Sequence, residues 1–140
     1  MDCDEMTVSS SNTNSPKIVI DLDGTLTVED SQTPYPDKKP NLAVIETLRT
    51  YKEMGFTIII HTARNMRTYD GNVGLINANT LPIIIEWLNY NEVPYDEIIV
   101  GKPWSGNKGF YVDDRAIRPE EFTSMSHAEI CALLGDEAFQ

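Results

Sequence analysis

Four short runs of apolar and β-branched residues punctuate the chain, and none alternates with polar positions. They are "KIVI" (17–20), "FTIIIHT" (56–62), "DEIIVG" (96–101) and "GFYVDD" (109–114). Continuous apolar runs of this length mark strands buried on both faces, as in a parallel sheet. Between them the period lengthens to that of a helix. Leu42, Ile45, Leu48 and Tyr51 share one side of a segment that Asn41 can cap and Gly55 ends. Leu81, Ile84, Ile85 and Leu88 repeat the pattern behind Thr80, with Pro82 in the first turn. Ser126-His127-Ala128-Glu129 is a capping box that opens a last helix running to Gly135. Strands alternating with helices predict an α/β protein with a mostly parallel sheet.

Two stretches carry no period. "VEDSQTPYPDKKP" is rich in proline and charge and reads as a loop, and "ARNMRTYDGNVGLINAN" holds two glycines and reads as a second, long one. The opening "MDCDEMTVSSSNTNS" is polar and reads as a disordered tail over 1–15, ahead of a single domain over 16–140. It lacks the basic and apolar regions of a signal peptide, and no stretch approaches a membrane span. Of the two cysteines, Cys3 lies in the tail and Cys131 in the last helix, which fits free thiols in the cytoplasm. A formal net charge of -11 over 140 residues repels polyanions, so nucleic acid is not an expected partner. His61 and His127 have no ligand spacing, which argues against zinc.

In parallel sheets ligands sit beyond the carboxyl ends of the strands. Three of the four expected strands end there in polar groups, namely Asp21, Thr62 and Asp113-Asp114, and Lys102 closely follows the other. Asp21 and Asp23, one residue apart, can hold a hard divalent cation, and Asp113 or Asp114 can complete its oxygen shell. Magnesium is the expected ion, because it accepts a few carboxylates together with waters and phosphate oxygens. A phosphate beside it needs more positive charge and donors. Lys102 supplies charge, Thr62 a hydroxyl, and the loop after Asp21 backbone N–H groups, with Gly24 permitting the turn.

"DLDGTLT", "IIIHTAR", "VGKP" and "YVDD", in that order, resemble the haloacid dehalogenase (HAD) superfamily over residues 17 to about 118. Through "TARNMRTYDGNVG" and "DDRAIRP" the chain is similar, more closely, to small phosphatases of capsular polysaccharide biosynthesis. The resemblance implies a three-layer Rossmann-like core with strand order 3-2-1-4 and no cap domain. It implies that Asp21 is the nucleophile, forming an aspartyl-phosphate, and that Asp23 is the general acid and then the base. Thr62 and Lys102 would hold the phosphoryl oxygens. Asp21, the carbonyl of Asp23 and one of Asp113 or Asp114, with Asp113 preferred, would ligate magnesium. The expected substrate is a small phosphorylated metabolite, such as a sugar phosphate of capsule synthesis. The alternatives are a phosphatase for a phosphoprotein or polynucleotide end, or a binding domain that keeps the fold without activity.

Arg64 is either a phosphate contact or the partner of a surface carboxylate. Lys108 competes with Lys102, Trp104 is read as packing, and Arg115 and Arg118 as surface or packing residues. His61 is read as structural and His127 as an exposed first-turn residue. The apolar residues of the 65–79 loop, Met66, Tyr69, Val73, Leu75 and Ile76, predict a cover for the site or a contact with a second copy. One feature strains this fold. Val100 to Gly109 is shorter than the dozen or so residues of a usual parallel crossover.

Overall fold

The structure, a computed structural model, describes residues 14–136. The expected tail and Cys3 lie almost wholly outside the described residues. Three strands form one parallel sheet: β1 (Lys17–Ile20), β2 (Thr57–Thr62) and β3 (Glu97–Val100). β2 is central, with Ile20 level with Ile60 on one side and Ile98 level with Ile60 on the other. The spatial order is therefore 3-2-1. Five α-helices connect or follow the strands: α1 (Leu42–Glu53), α2 (Val73–Asn79), α3 (Leu81–Tyr90), α4 (Pro119–Ser124) and α5 (His127–Leu134).

Alternation along the strands separates two faces. Ile18, Ile20, Ile58, Ile60 and Ile98 point into the main core, which Val44, Ile45 and Leu48 of α1 and Ile84, Trp87 and Leu88 of α3 complete. The same core takes Phe122 of α4, stacked on Tyr51 of α1 at 5.4 Å, and Ile130 of α5. The opposite face carries Val19, Ile59 and Ile99. Val19 and Ile99 are 61% and 45% exposed, so that face of β1 and β3 is largely uncovered. A full three-layer arrangement is not seen among the described residues.

Caps form largely where the sequence placed them. Asn41 accepts from Val44 N–H, Ser126 accepts from Glu129 N–H, and Gly135 ends α5 in the left-handed region. Thr80 differs, for its backbone is already helical and its hydroxyl donates to Asn65 Oδ1 at 2.7 Å instead of capping α3. The 65–79 stretch is not wholly a loop. Asn72 caps α2, and Ile76 within it is fully buried. Seven residues with a glycine inside are too few to show a helical period. α4 was missed for the same reason, and Tyr35–Asp37 forms a 3-10 turn inside the first loop.

The largest departure is at 109–114. The expected fourth strand is not formed: residues 109–112 join no ladder and are exposed, Phe110 at 80% and Val112 at 90%. β1 therefore keeps one edge free.

At the opposite end of the sheet Asp96 ties three elements together. It accepts from Ile58 N–H at 2.8 Å and from Lys52 of α1 at 2.7 Å. Burial pushes its carboxyl up, but these bonds outweigh that and hold it below the ordinary carboxylate value. A lowered folded pKa stabilises above the unfolded value and is lost as pH falls through the folded one. Asp96→Ala is expected to cost about 1 kcal/mol at neutral pH by urea denaturation. The deficit relative to wild type should shrink below about pH 4. A deficit independent of pH would show that packing, not the charge, matters there.

Candidate active site

Asp21 leaves β1 at its carboxyl end, and the backbone turns at once. The Leu22 carbonyl accepts from the N–H groups of Leu26 and Thr27, while Leu22 and Leu26 are fully buried and anchor the turn. Gly24 sits at φ +84°, where other residues are strained, and its N–H donates to Thr27 Oγ1 at 3.1 Å. This turn presents Asp21 and Asp23 on the rim, both half-buried.

β2 delivers Thr62 beside them. Thr62 is 1% exposed, and its Oγ1 accepts from Arg64 N–H, which leaves the hydroxyl proton free to donate. Lys102 follows β3, and its backbone N–H donates to the Thr62 carbonyl at 3.1 Å. Its Nζ lies 3.5 Å from Asp21 Oδ1, a distance at the limit of hydrogen bonding, so the contact is chiefly one of opposite charges. The other Asp21 oxygen accepts from Thr25 Oγ1 at 3.2 Å. Asp21, Asp23, Thr62 and Lys102 line one cavity of about 710 Å³. Lys108 is exposed and does not line it, whereas Lys102 does.

Arg64 makes a contact that the sequence did not specify. Its side chain is buried and grips Asp23 with two parallel bonds, Nη2 to Oδ1 at 2.7 Å and Nε to Oδ2 at 3.0 Å. Tyr35 covers the guanidinium, its ring centre 4.1 Å from Cζ. Burial and then the Asp23 charge push the Tyr35 phenol up, so it stays protonated. Arg64 Nη1 is buried without a hydrogen-bond partner among the described residues. Of the two expected roles, pairing with a carboxylate is the one seen, the partner being Asp23 on the rim of the cavity that Arg64 also lines. It positions Asp23 and keeps one donor in reserve.

The rim holds further residues that pattern alone did not single out. Lys38 is 9% exposed, donates to the Asp30 carbonyl and lies near the Tyr35 ring. Tyr111 sits over Lys102, with its ring centre 4.6 Å from Nζ, and its hydroxyl donates to the Pro103 carbonyl. Trp104, read from sequence as packing, is 46% exposed beside Arg67 and lines the cavity. Aromatic neighbours of buried or functional cations were the missing signal, and it exists only across loops far apart in sequence.

His61 lies on the less covered face of β2. Burial, and then Lys102, lowers its pKa, which fits a neutral structural residue. His127 packs edge-on against Tyr51 at 5.6 Å, and its Nε2 lies 3.3 Å from Cys131 Sγ. Arg115 pairs with Asp136, and Arg118 is exposed.

Asp113 and Asp114 do not join the site. Both are exposed, neither lines the cavity, and Asp113 Oδ1 accepts from Arg115 N–H at 2.8 Å. Among the described residues no three His, Cys, Asp or Glu side chains come together as a metal site. With Asp23 engaged by Arg64, the carboxylates gathered here do not by themselves fit the oxygen shell of magnesium. Among the described residues no helix is long and apolar enough to cross a membrane.

The fold and rim define an α/β protein with a polar site at the carboxyl ends of a parallel sheet. A crystal structure of a target protein from Vibrio cholerae matches with 59% sequence identity and a TM-score of 0.83, covering 86% of this chain and 97% of that one. The chain belongs to the same family as that Vibrio cholerae protein. Two further structures, of the Pnkp1/Rnl/Hen1 complex and of the Pnkp1/Rnl/Hen1 RNA repair complex, match at 24% and 21% identity. Each has a TM-score of 0.48, and they cover 63% and 91% of this chain and 28% and 43% of those. At that level they carry no weight. No family model and no curated protein matches the chain.

The Arg64–Asp23 pair generates a prediction. Arg64→Ala removes a buried cation and its packed stem, and is expected to cost about 3 kcal/mol of stability. A double-mutant cycle with Asp23→Ala, read by urea denaturation, should give a coupling of about 1 kcal/mol or more. Strict additivity would show that the two groups do not hold one another.

Proposed function

We propose that this protein is a HAD-type phosphomonoesterase working through an aspartyl-phosphate. The observation that carries the reading is the meeting of Asp21, Thr62 and Lys102 at the ends of three parallel strands, with Lys102 Nζ 3.5 Å from Asp21 Oδ1. A nucleophilic carboxylate needs a cation and donors arranged around the group it attacks, and this rim supplies both.

One Asp21 oxygen attacks phosphorus, the ester P–O bond breaks, and Asp23 gives the leaving oxygen a proton. Water then attacks the acyl phosphate, Asp23 takes the water's proton, and phosphate departs with Asp21 restored. Lys102 and the Thr62 hydroxyl balance the phosphoryl charge. The paired bonds from Arg64 hold both Asp23 oxygens in place for the second half-reaction. In the first half-reaction an Asp23 oxygen must leave the guanidinium to carry the proton. Magnesium is the proposed cofactor, and the carboxylates gathered among the described residues of one chain do not by themselves complete its shell.

The proposed substrate is a sugar phosphate or related metabolite of polysaccharide or capsule synthesis. The cavity suits a small polar molecule, for Trp104 and Tyr111 offer ring faces and Arg64 Nη1 an unused donor. The acidic chain disfavours a polynucleotide. The proposed compartment is the cytoplasm.

Asp21→Asn keeps the shape of the side chain and removes its nucleophilic charge. Phosphate release from an aryl phosphate should fall by at least about a thousandfold, with the far-ultraviolet circular dichroism unchanged. Turnover within tenfold of wild type would exclude Asp21 as nucleophile.

A further inference from the structure

We propose that residues 109–114 of a second copy of this chain lie along the free edge of β1 as a fourth parallel strand. Asp113 or Asp114 of that copy then completes the carboxylate shell beside Asp21. The role given to these carboxylates rests on the phosphatase reading. The strand exchange does not.

Three observations converge on this arrangement. First, among the described residues β1 pairs only with β2, and Val19 on its exposed face is 61% accessible, so an edge and an apolar strip stand open together there. Second, the segment 109–112 is extended in pattern, apolar and unpaired, with Phe110 and Val112 among the most exposed residues described. A free edge and a free strand in one molecule are each other's complement. Third, its own chain brings Asp23, held by Arg64, and Glu29 to the cavity with Asp21, but among the described residues no three such side chains gather as a metal site.

The chain's own segment cannot easily fill that edge. Lys102 is held to the Thr62 carbonyl, and the seven peptide units from there to Gly109 reach about 25 Å at most. A strand outside β1 would start about 14 Å to the side and about 13 Å back along the sheet, a straight diagonal of about 19 Å. Crossing a sheet face also means rising toward the next layer, about 10 Å away, and returning, which uses more than the slack. Residues 106–108 turn and shorten the reach further. At Gly109 a Cβ would stand 2.1 Å from the Ser105 carbonyl oxygen, so the chain doubles back there. A segment from a second copy has no such tether to this β1.

Parallel pairing follows from the matched endings. "KIVI" runs into Asp21 and "FYV" runs into Asp113, so strands laid in the same direction bring the carboxylates to one rim. About a two-fold axis the exchange happens twice and closes as a dimer. Tyr111 gives up its exposed contacts with Lys102 and Pro103 in doing so.

The test uses the full chain. Wild type should sediment at twice the chain mass at micromolar concentration, and millimolar magnesium should tighten the dimer at least about tenfold by bridging carboxylates of two copies. Val112→Pro, at an exposed position outside any helix, should leave the circular dichroism intact and shift the protein to monomer. Asp21→Asn and the double variant Asp113→Asn, Asp114→Asn should each be inactive alone. Refolded together from urea, they should recover about a quarter of the wild-type rate, because half the dimers are mixed and each has one intact site. A wild-type monomer, or a dimer that survives Val112→Pro and gives no recovery on mixing, would overturn the exchange. A wild type that turns over no phosphate ester would refute the phosphatase reading, while mass and Val112→Pro would still decide the exchange.

Discussion

A buried guanidinium with one carboxylate to face it sets the terms for this site. Arg64 is nearly inaccessible, and a charge in that position must be paired and hydrogen-bonded or the fold suffers. Asp23 supplies both bonds, Tyr35 supplies a ring face, and Thr62 accepts the backbone N–H of Arg64. These contacts join the loop after β1, the 3-10 turn in the next loop and the end of β2. One ion pair therefore shapes this side of the cavity mouth. The same pair holds both Asp23 oxygens, and the acid and base role proposed for Asp23 starts from the release of one of them.

Much of this was legible in the sequence because strand ends translate directly into positions. The last residues of β1, β2 and β3 reach the rim to within a residue or so of where the apolar runs put them, although of the three only β2 is covered on both faces. Asp21, Thr62 and Lys102 were placed on one rim in that way, with Asp23 in the turn just past Asp21. Arg64 was noticed, but its partner was not, since 41 residues separate it from Asp23 and no local pattern encodes the pairing. Tyr35, Lys38 and Tyr111 were invisible for the same reason. The short helices α2 and α4 failed differently, as each is held by a single fully or nearly buried residue, Ile76 or Phe122, and shows no period.

The strand over 109–114 is the instructive miss. Its residues have the composition of a strand, and local preference alone would place it in the sheet. The connection before it is too short to serve that preference within one chain, a conflict visible in the sequence as the scant spacing between Val100 and Gly109. Where local and global demands disagree, the residue pattern persists and the pairing partner changes. An apolar strand left in solvent and a sheet edge left open are both costly, and the two costs are removed by one association.

Electrostatics gives that association a direction. Each chain carries a net charge of -11, so two copies repel at long range and approach is favoured only where apolar surface or a cation intervenes. Asp113 and Asp114, kept in solvent, cost the isolated chain nothing by lying away from Asp21. Brought beside Asp21 without a cation they would raise one another's energy, and with one they would be drawn together. A site assembled from two copies would thus be complete only when both the second chain and the cation are present. Asp21 would remain faced by Lys102 until then.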